Sequence, residues 1–96
     1  MDLAHIQMTL SQERDMFAQY HIKSLVLFGS FVRGEQRPKS DIDILVEFED
    51  DEIDLFEFIK LRDYLSDRLG RKVDLVMKDT LKPHIGKQVL SEVVYL

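Results

Sequence analysis

Hydrophobic residues in this chain follow two periods, and the shorter of the two marks the strands. Apolar runs at 24–28 and 73–77 predict two buried strands, the first of which ends at Gly29. Between Asp41 and Phe48 every even position is hydrophobic, whereas three of the four odd positions are acidic. This alternation is typical of a strand that buries one face. The chain is therefore predicted to contain three strands.

A period of three to four residues predicts helices around the first strand. One helix is predicted over 9–20, where Thr9 and Gln12 have the spacing of a capping box. The segment from Gly29 to Gly34 has room only for a tight turn and one helical turn. The first strand is therefore expected to lie between a long helix and a short one.

The longest helix is predicted over 53–69. Four hydrophobic residues spaced three or four apart form its apolar stripe: Phe58, Leu61, Leu65 and Leu69. Gly70 is placed to end this helix, and Phe56 is expected in the core. A last helix is predicted to begin at Thr80 and to carry Val93 on its buried face.

Length and composition agree with a globular protein. The order α-β-α-β-α-β-α predicts a single α/β domain over residues 1–96. The absence of cysteine excludes disulfides, thiolate zinc sites and a cysteine nucleophile. No apolar run approaches the ~20 residues that span a bilayer, so we expect a soluble, cytoplasmic protein. A chain this short has a modest stability reserve, which makes a homo- or hetero-oligomer a reasonable expectation.

The charge disfavours nucleic acid as the main partner. The formal net charge is −5, whereas free-standing nucleic-acid-binding domains usually carry a basic face. Seven of the eleven residues at 47–57 are acidic. Their simplest interpretation is a solvated loop that leads into a helix, since acids favour helix N-termini. An acidic docking surface for a partner is the alternative.

Carboxylates on one strand face predict a metal site. Asp41 and Asp43 are two residues apart, so both side chains leave the same face of their strand. Two like charges repel at a sheet surface unless a cation compensates them, and oxygen ligands suit Mg²⁺ or Mn²⁺. If the strand at 73–77 pairs beside them, Asp74 can serve as a third ligand. Three carboxylates around two metals ~3.5–4 Å apart are typical of phosphoryl or nucleotidyl transfer.

Gly29 and Ser30 predict a phosphate site next to these carboxylates. Glycine lets the backbone approach a phosphate closely, and the exposed N–H groups of a helix start attract anions. The Ser30 hydroxyl can donate a further hydrogen bond. Basic residues that follow in sequence can offset triphosphate charge: Arg33, Arg37 and Lys39.

Each of these signals is common by itself, and their order along the chain makes them specific. An Asp-x-Asp pair also occurs at exposed strand ends, and Gly-Ser after a strand is often only a turn.

A phosphatase that uses Asp-x-Asp is a poor alternative. Ile44 stands where such enzymes usually have Thr or Val, and Gly29 and Ser30 would have no role in them.

The segment GSFVRGEQRPKSDIDILVEF at 29–48, together with VDLV at 73–76, resembles the minimal nucleotidyltransferases of the polymerase-β-like superfamily. The resemblance implies a small mixed three-stranded sheet with a central second strand and helices on one side. It implies that Asp41 and Asp43 bind the metals, that Asp74 completes the triad and that Gly29 and Ser30 hold the triphosphate of ATP. The same motif includes two residues with less defined roles: Arg33, in phosphate or loop contacts, and Ser40, before the strand.

The resemblance also implies a partner. Small members of this family pair with HEPN-domain toxins, and the expected activity is AMP transfer from ATP to a tyrosine hydroxyl of the toxin. A different class of function is open as well, in which the protein neutralises its partner by binding, with weak or absent catalysis.

Overall fold

Four strands form one mixed sheet in the computed structural model, which describes residues 2–49, 53–80 and 93–96. The strands are β1 (Ile22–Phe28), β2 (Ile42–Phe48), β3 (Val73–Met77) and β4 (Val94–Tyr95). Their order is β3-β2-β1-β4, with β2 parallel to β3 and β1 antiparallel to both of its neighbours. The α/β class, the three predicted strands and the central place of β2 are confirmed.

The sequence-based expectation of three strands is one short, because β4 pairs with the free edge of β1. Val26 lies opposite Tyr95 and Leu27 opposite Val94, and the N–H of Leu96 donates to the Leu25 carbonyl over 2.8 Å. This pairing satisfies backbone groups that an edge strand would leave open. Val93 precedes β4 and is not helical, so its predicted place on the last helix is wrong. The remainder of that predicted helix, 81–92, lies outside the described residues.

The first predicted helix is two helices, α1 (Leu3–Ser11) and α2 (Asp15–Gln19). The capping box predicted at Thr9 is wrong, because the Asp2 carboxylate caps α1 by accepting the His5 N–H over 2.9 Å. The Thr9 hydroxyl instead donates to the His5 carbonyl inside the helix. Leu10 and Met16 are both buried. Residues six apart lie on different faces of a straight helix, so the turn between α1 and α2 lets both reach the core.

Helix α3 (Ser30–Arg33) and helix α4 (Leu55–Leu69) form where the glycines and the apolar stripe predict them. Helix α4 begins at Leu55, two residues later than predicted. The Asp54 carboxylate caps it by accepting the Glu57 N–H over 2.8 Å. Gly70 ends α4 with a φ of 65°, the left-handed geometry expected of a glycine cap.

The main hydrophobic core lies between one face of the sheet and the helices. Its residues are buried side chains from seven elements: Ile6, Leu10, Met16, Ile22, Leu25, Leu27, Phe31, Ile42, Ile44, Val46, Leu61, Leu65, Leu69, Val73 and Leu75. Val26 and Leu45 are also buried, but strand alternation turns them toward the opposite face. That opposite face is the one that carries Asp43.

Some large hydrophobic side chains lie outside the core. Phe56 is 77% exposed, so its predicted place in the core is wrong; it lies in the first turn of α4, off the apolar stripe that begins at Phe58. Within residues 2–49, 53–80 and 93–96, none of the helices combines the length and the apolar character needed to cross a membrane.

The core position of α4 predicts a large effect of Leu65→Ala. Leu65 has no exposed surface, so its truncation should lower the free energy of unfolding by about 2–5 kcal/mol. Leu55→Ala makes the same chemical change in the same helix at a side chain that is 70% exposed, and should cost less than about 0.5 kcal/mol. Urea denaturation measures both values. Equal costs for the two variants would contradict this account of the core.

Candidate active site

Gly29 places the backbone against a carboxylate at the end of β1. Its φ of 81° and ψ of −151° lie in a region that only glycine adopts readily. A Cβ atom at this position would overlap Oδ2 of Asp43 and lie 3.0 Å from its Cγ. Both the conformation and the space therefore require glycine where β1 turns into α3.

Ser30 begins α3 directly beside that contact. The N–H groups of Val32 and Arg33 donate to the Gly29 carbonyl over 3.1 and 3.2 Å, which closes the single helical turn. The first N–H groups of a helix have no acceptor within it, so those of Ser30 and Phe31 are the ones suited to an anion. Phe31 is buried and fixes this turn to the core.

The strand register brings two of the predicted carboxylates side by side. Asp43 and Asp74 are direct partners in the parallel pair β2–β3, on the same face of the sheet. Asp41 lies just before β2, two residues from Asp43. Burial raises the pKa of the Asp43 carboxyl, the charges of Asp74 and Asp41 raise it further, and the Arg33 guanidinium opposes them. The charges of Asp41, Asp74 and Arg33 therefore all act on the Asp43 carboxyl.

The donor set suits a hard divalent cation. All three side chains offer oxygen ligands, and a cation would relieve the repulsion that acts on Asp43. Within the described residues, no three Asp, Glu, His or Cys side chains converge closely enough to enclose an ion. The Lys72 ammonium lies 3.8 Å from Asp41 Oδ2 and pairs with that carboxylate. Metal binding by Asp41, Asp43 and Asp74 therefore stays a prediction.

Arg33 lies close enough to Asp43 to lower the pKa of its carboxyl. Its Nε also lies 3.2 Å from Glu35 Oε2, in the exposed turn after α3. Arg33 therefore acts on the charge of Asp43 and also pairs within the turn after α3. Arg37 and Lys39 are exposed residues of the same loop.

Ser40 orders the loop before β2. Its hydroxyl accepts the Arg37 N–H over 2.7 Å, and the Arg71 guanidinium donates to the carbonyls of Ser40 and Pro38. Arg71 also lies over the Phe31 ring, 5.6 Å from its centroid. Sequence reasoning missed Arg71 because its partners are more than thirty residues away in the chain. Arg71 thus links α3 to the loop that leads to Asp41.

Comparison with known proteins agrees with this geometry. Residues 10–96 match the nucleotidyltransferase domain family. A protein adenylyltransferase, MntA, of Thermococcus cleftensis is 45% identical over 86 residues, which cover 90% of this chain and 86% of that protein. A candidate protein adenylyltransferase of Methanocaldococcus jannaschii is 51% identical over 79 residues, or 81% of this chain and 80% of that protein. The chain belongs to the nucleotidyltransferase domain family, as the motifs at 29–48 predict.

Solved structures show the same fold. A candidate minimal nucleotidyltransferase superposes with a TM-score of 0.79 at 35% identity, over 100% of this chain and 97% of that one. A toxin–antitoxin complex with AMP-PNP gives 0.72 at 26% identity, over 88% and 69%. A tri-AMPylated HEPN toxin from Shewanella oneidensis in complex with an MNT antitoxin gives 0.67, over 94% and 70%; at 23% identity it supports the fold alone.

The Gly29 contact predicts that Gly29→Ala disrupts the site. The variant should lose about 2–6 kcal/mol of unfolding free energy, from backbone strain of ~1–3 kcal/mol and a further ~1–3 kcal/mol of overlap with Asp43. Gly34→Ala is the matched control, since Gly34 has a φ of 70° and open space around it. It should lose about 1–2 kcal/mol. Thermal denaturation compares the two, and an equal loss would show that the Asp43 contact is unimportant.

The raised pKa of Asp43 predicts that Asp43→Asn stabilises the metal-free protein. Above its ordinary pKa of 3.8 the carboxyl ionises more readily in the unfolded chain, so at pH 7 it lowers the stability of the fold. Removal of this charge should therefore raise Tm at pH 7 in EDTA.

Added Mg²⁺ should then raise the Tm of the wild type more than that of Asp43→Asn. Asp63→Asn removes an exposed acid from α4 and serves as the control, with little change in either condition. A lower Tm for Asp43→Asn in EDTA, or equal stabilisation of wild type and variant by Mg²⁺, would contradict the assignment.

Proposed function

We propose that this nucleotidyltransferase is a protein adenylyltransferase that transfers AMP from ATP to a tyrosine hydroxyl of a HEPN-type toxin. The observation that carries the proposal is the position of Asp43. Its carboxylate lies against the Gly29 backbone on one side and beside Asp74 on the other. A site suited to an anion and a pair of carboxylates therefore lie side by side at Asp43, as nucleotidyl transfer requires.

The chain's own groups bind the triphosphate. The N–H groups of Ser30 and Phe31 and the Ser30 hydroxyl hold the β- and γ-phosphates at the start of α3, where the conformation of Gly29 turns the chain out of β1. Arg33 adds positive charge near Asp43. With the triphosphate bound in this way, we expect the α-phosphate to lie near the carboxylates.

Asp41 and Asp43 would hold Mg²⁺, with Asp74 as the third ligand; Mn²⁺ would suit the same oxygens. When bound, the cations neutralise charge on the phosphates and make the acceptor hydroxyl more acidic. Burial and like charges raise the pKa of the Asp43 carboxyl, so its ionised form favours a cation as partner.

The reaction is a single in-line displacement. The acceptor oxygen bonds to the α-phosphorus while the bond from that phosphorus to the bridging oxygen of the β-phosphate breaks. Pyrophosphate leaves with the electron pair, and Asp74 takes the proton of the hydroxyl. Asp74 is suited to this role because it is exposed and directly beside Asp43.

A protein acceptor agrees with both the relatives and the charge. The similar protein of Thermococcus cleftensis is itself a protein adenylyltransferase. The net charge of −5 and the exposed acids around the start of α4, Glu49, Asp54 and Glu57, favour a basic partner over nucleic acid. A toxin that handles RNA is expected to carry such basic surface.

Asp41→Asn and Asp43→Asn should each lower AMP transfer at least ~10²-fold while the protein stays folded. Each change keeps the size of the side chain but removes its charge, so cation binding is lost. Mass spectrometry of the partner after incubation with ATP and Mg²⁺ measures the added AMP. Asp63→Asn controls for the loss of one negative charge elsewhere and should transfer AMP normally.

Full transfer by Asp43→Asn would sink the assignment of the site. An Asp43→Asn protein that transfers no AMP yet still rescues growth beside an active toxin would instead support neutralisation by binding.

A further inference from the structure

The proposed site joins two segments that are separate along the chain. The Gly29–Ser30 turn follows β1, whereas Asp41 stands at the end of the loop before β2. Residues 34–40 of that loop form neither helix nor strand, and most of them are exposed. Such a loop keeps one conformation only where contacts offset the entropy that it loses. The position of Asp41 relative to the turn therefore depends on the contacts that hold the loop.

Arg71 extends from a fixed point of the backbone beside both segments. Its N–H donates to the Ser66 carbonyl in the last turn of α4 over 3.3 Å, directly after the cap residue Gly70. The carbonyl of the next residue, Lys72, accepts the N–H of Ile42 over 3.0 Å, where β3 meets β2. The backbone of Arg71 is therefore held between the longest helix and the sheet.

The guanidinium of Arg71 contacts both segments. Its Nη1 atom donates to the Pro38 carbonyl over 2.7 Å and to the Ser40 carbonyl over 3.1 Å. The Ser40 carbonyl belongs to the planar peptide unit that leads into Asp41, so this bond orients that unit. The Cζ atom lies 5.6 Å from the centroid of the Phe31 ring, within the ~6 Å of a cation–π contact. Phe31 is buried and carries one of the N–H groups suited to an anion.

The shape of the side chain matters here as well as its charge. A guanidinium is planar, so it can donate from one edge while its face lies over an aromatic ring. A lysine ammonium is a point charge on a flexible stem, which can approach the carbonyls or the ring but does not cover both in one geometry. Lysine in place of Arg71 would therefore keep the charge and lose part of the connection.

We infer that Arg71 is a positioning residue of the proposed active site. Its guanidinium holds the loop before β2 against Phe31. It thereby keeps the Asp41 carboxylate and the N–H groups of Ser30 and Phe31 at the spacing that one nucleotide and its cation require. In this role Arg71 acts through Phe31 and Asp41, without a contact of its own to either ligand. The inference rests on the proposed function for the identity of the ligands.

Ligand binding by the whole chain tests this role without any transfer reaction. Calorimetric titration measures the affinity for AMP-PNP in the presence of Mg²⁺, and electron paramagnetic resonance measures the affinity for Mn²⁺ without nucleotide. Arg71→Met removes the connection between the two segments, so it should weaken both affinities about tenfold to a hundredfold. Titration well below the Tm of every variant keeps a loss of stability from appearing as a loss of affinity.

Arg62→Met is the matched control. It makes the same chemical change in α4, where the exposed guanidinium of Arg62 donates to its neighbour Asp63 over 3.2 Å. Both affinities should stay close to those of the wild type. Arg71→Lys separates position from charge, and its two affinities should lie nearer to those of Arg71→Met than to those of the wild type. If Arg71→Met does not fold, Arg71→Lys carries the comparison.

Wild-type affinities in Arg71→Met, together with a lower Tm, would show that Arg71 only stabilises the fold and would overturn the inference. Full recovery of both affinities in Arg71→Lys would overturn it as well, because charge alone would then suffice. A wild type that binds AMP-PNP and Mn²⁺ but transfers no AMP to a protein would refute the proposed function instead and leave the role of Arg71 intact.

Discussion

The contact between the Gly29 backbone and the Asp43 carboxylate is the constraint on which the site depends. It exists because β1 and β2 pair so that Phe28 lies opposite Asp43, and because Gly29 adopts a conformation closed to other residues. The core fixes that register. A slip of one residue would turn Asp43 into the hydrophobic core and bring Ile44 out. Packing of α4 on the other sheet face therefore holds the Gly29–Ser30 turn and the Asp43 carboxylate together.

The same arrangement has an energetic cost. Asp43 is partly buried beside Asp74 and near Asp41, and both burial and like charge raise the pKa of its carboxyl. Because burial and like charge disfavour the ionised carboxylate, this cluster lowers the stability of the folded protein at neutral pH. A ligand that binds only the folded state offsets this cost. In the proposed site, destabilisation of the free protein and binding of a cation would thus have one origin.

Sequence predicted the elements with strong local signals. The alternation along β2, the stripe of α4 and the glycine at its end all act over a few residues, so each was visible in the chain. The two-residue strand β4 has no such signal, since its pairing with β1 joins positions about seventy residues apart. The turn between α1 and α2 and the exposure of Phe56 also depend on how the helices meet the sheet. For the site, Asp41, Asp43 and Gly29 followed from local pattern. The adjacency of Asp74 needed the parallel register, and the role of Arg71 needed the folded chain.

The position of the triphosphate in a crystal grown with AMP-PNP and Mg²⁺ tests the central claim most directly. The account predicts that the β- and γ-phosphates contact the N–H groups of Ser30 and Phe31, and that the α-phosphate lies over a cation held by Asp41 and Asp43. A triphosphate bound away from the Gly29–Ser30 turn, with no cation at Asp43, would contradict it.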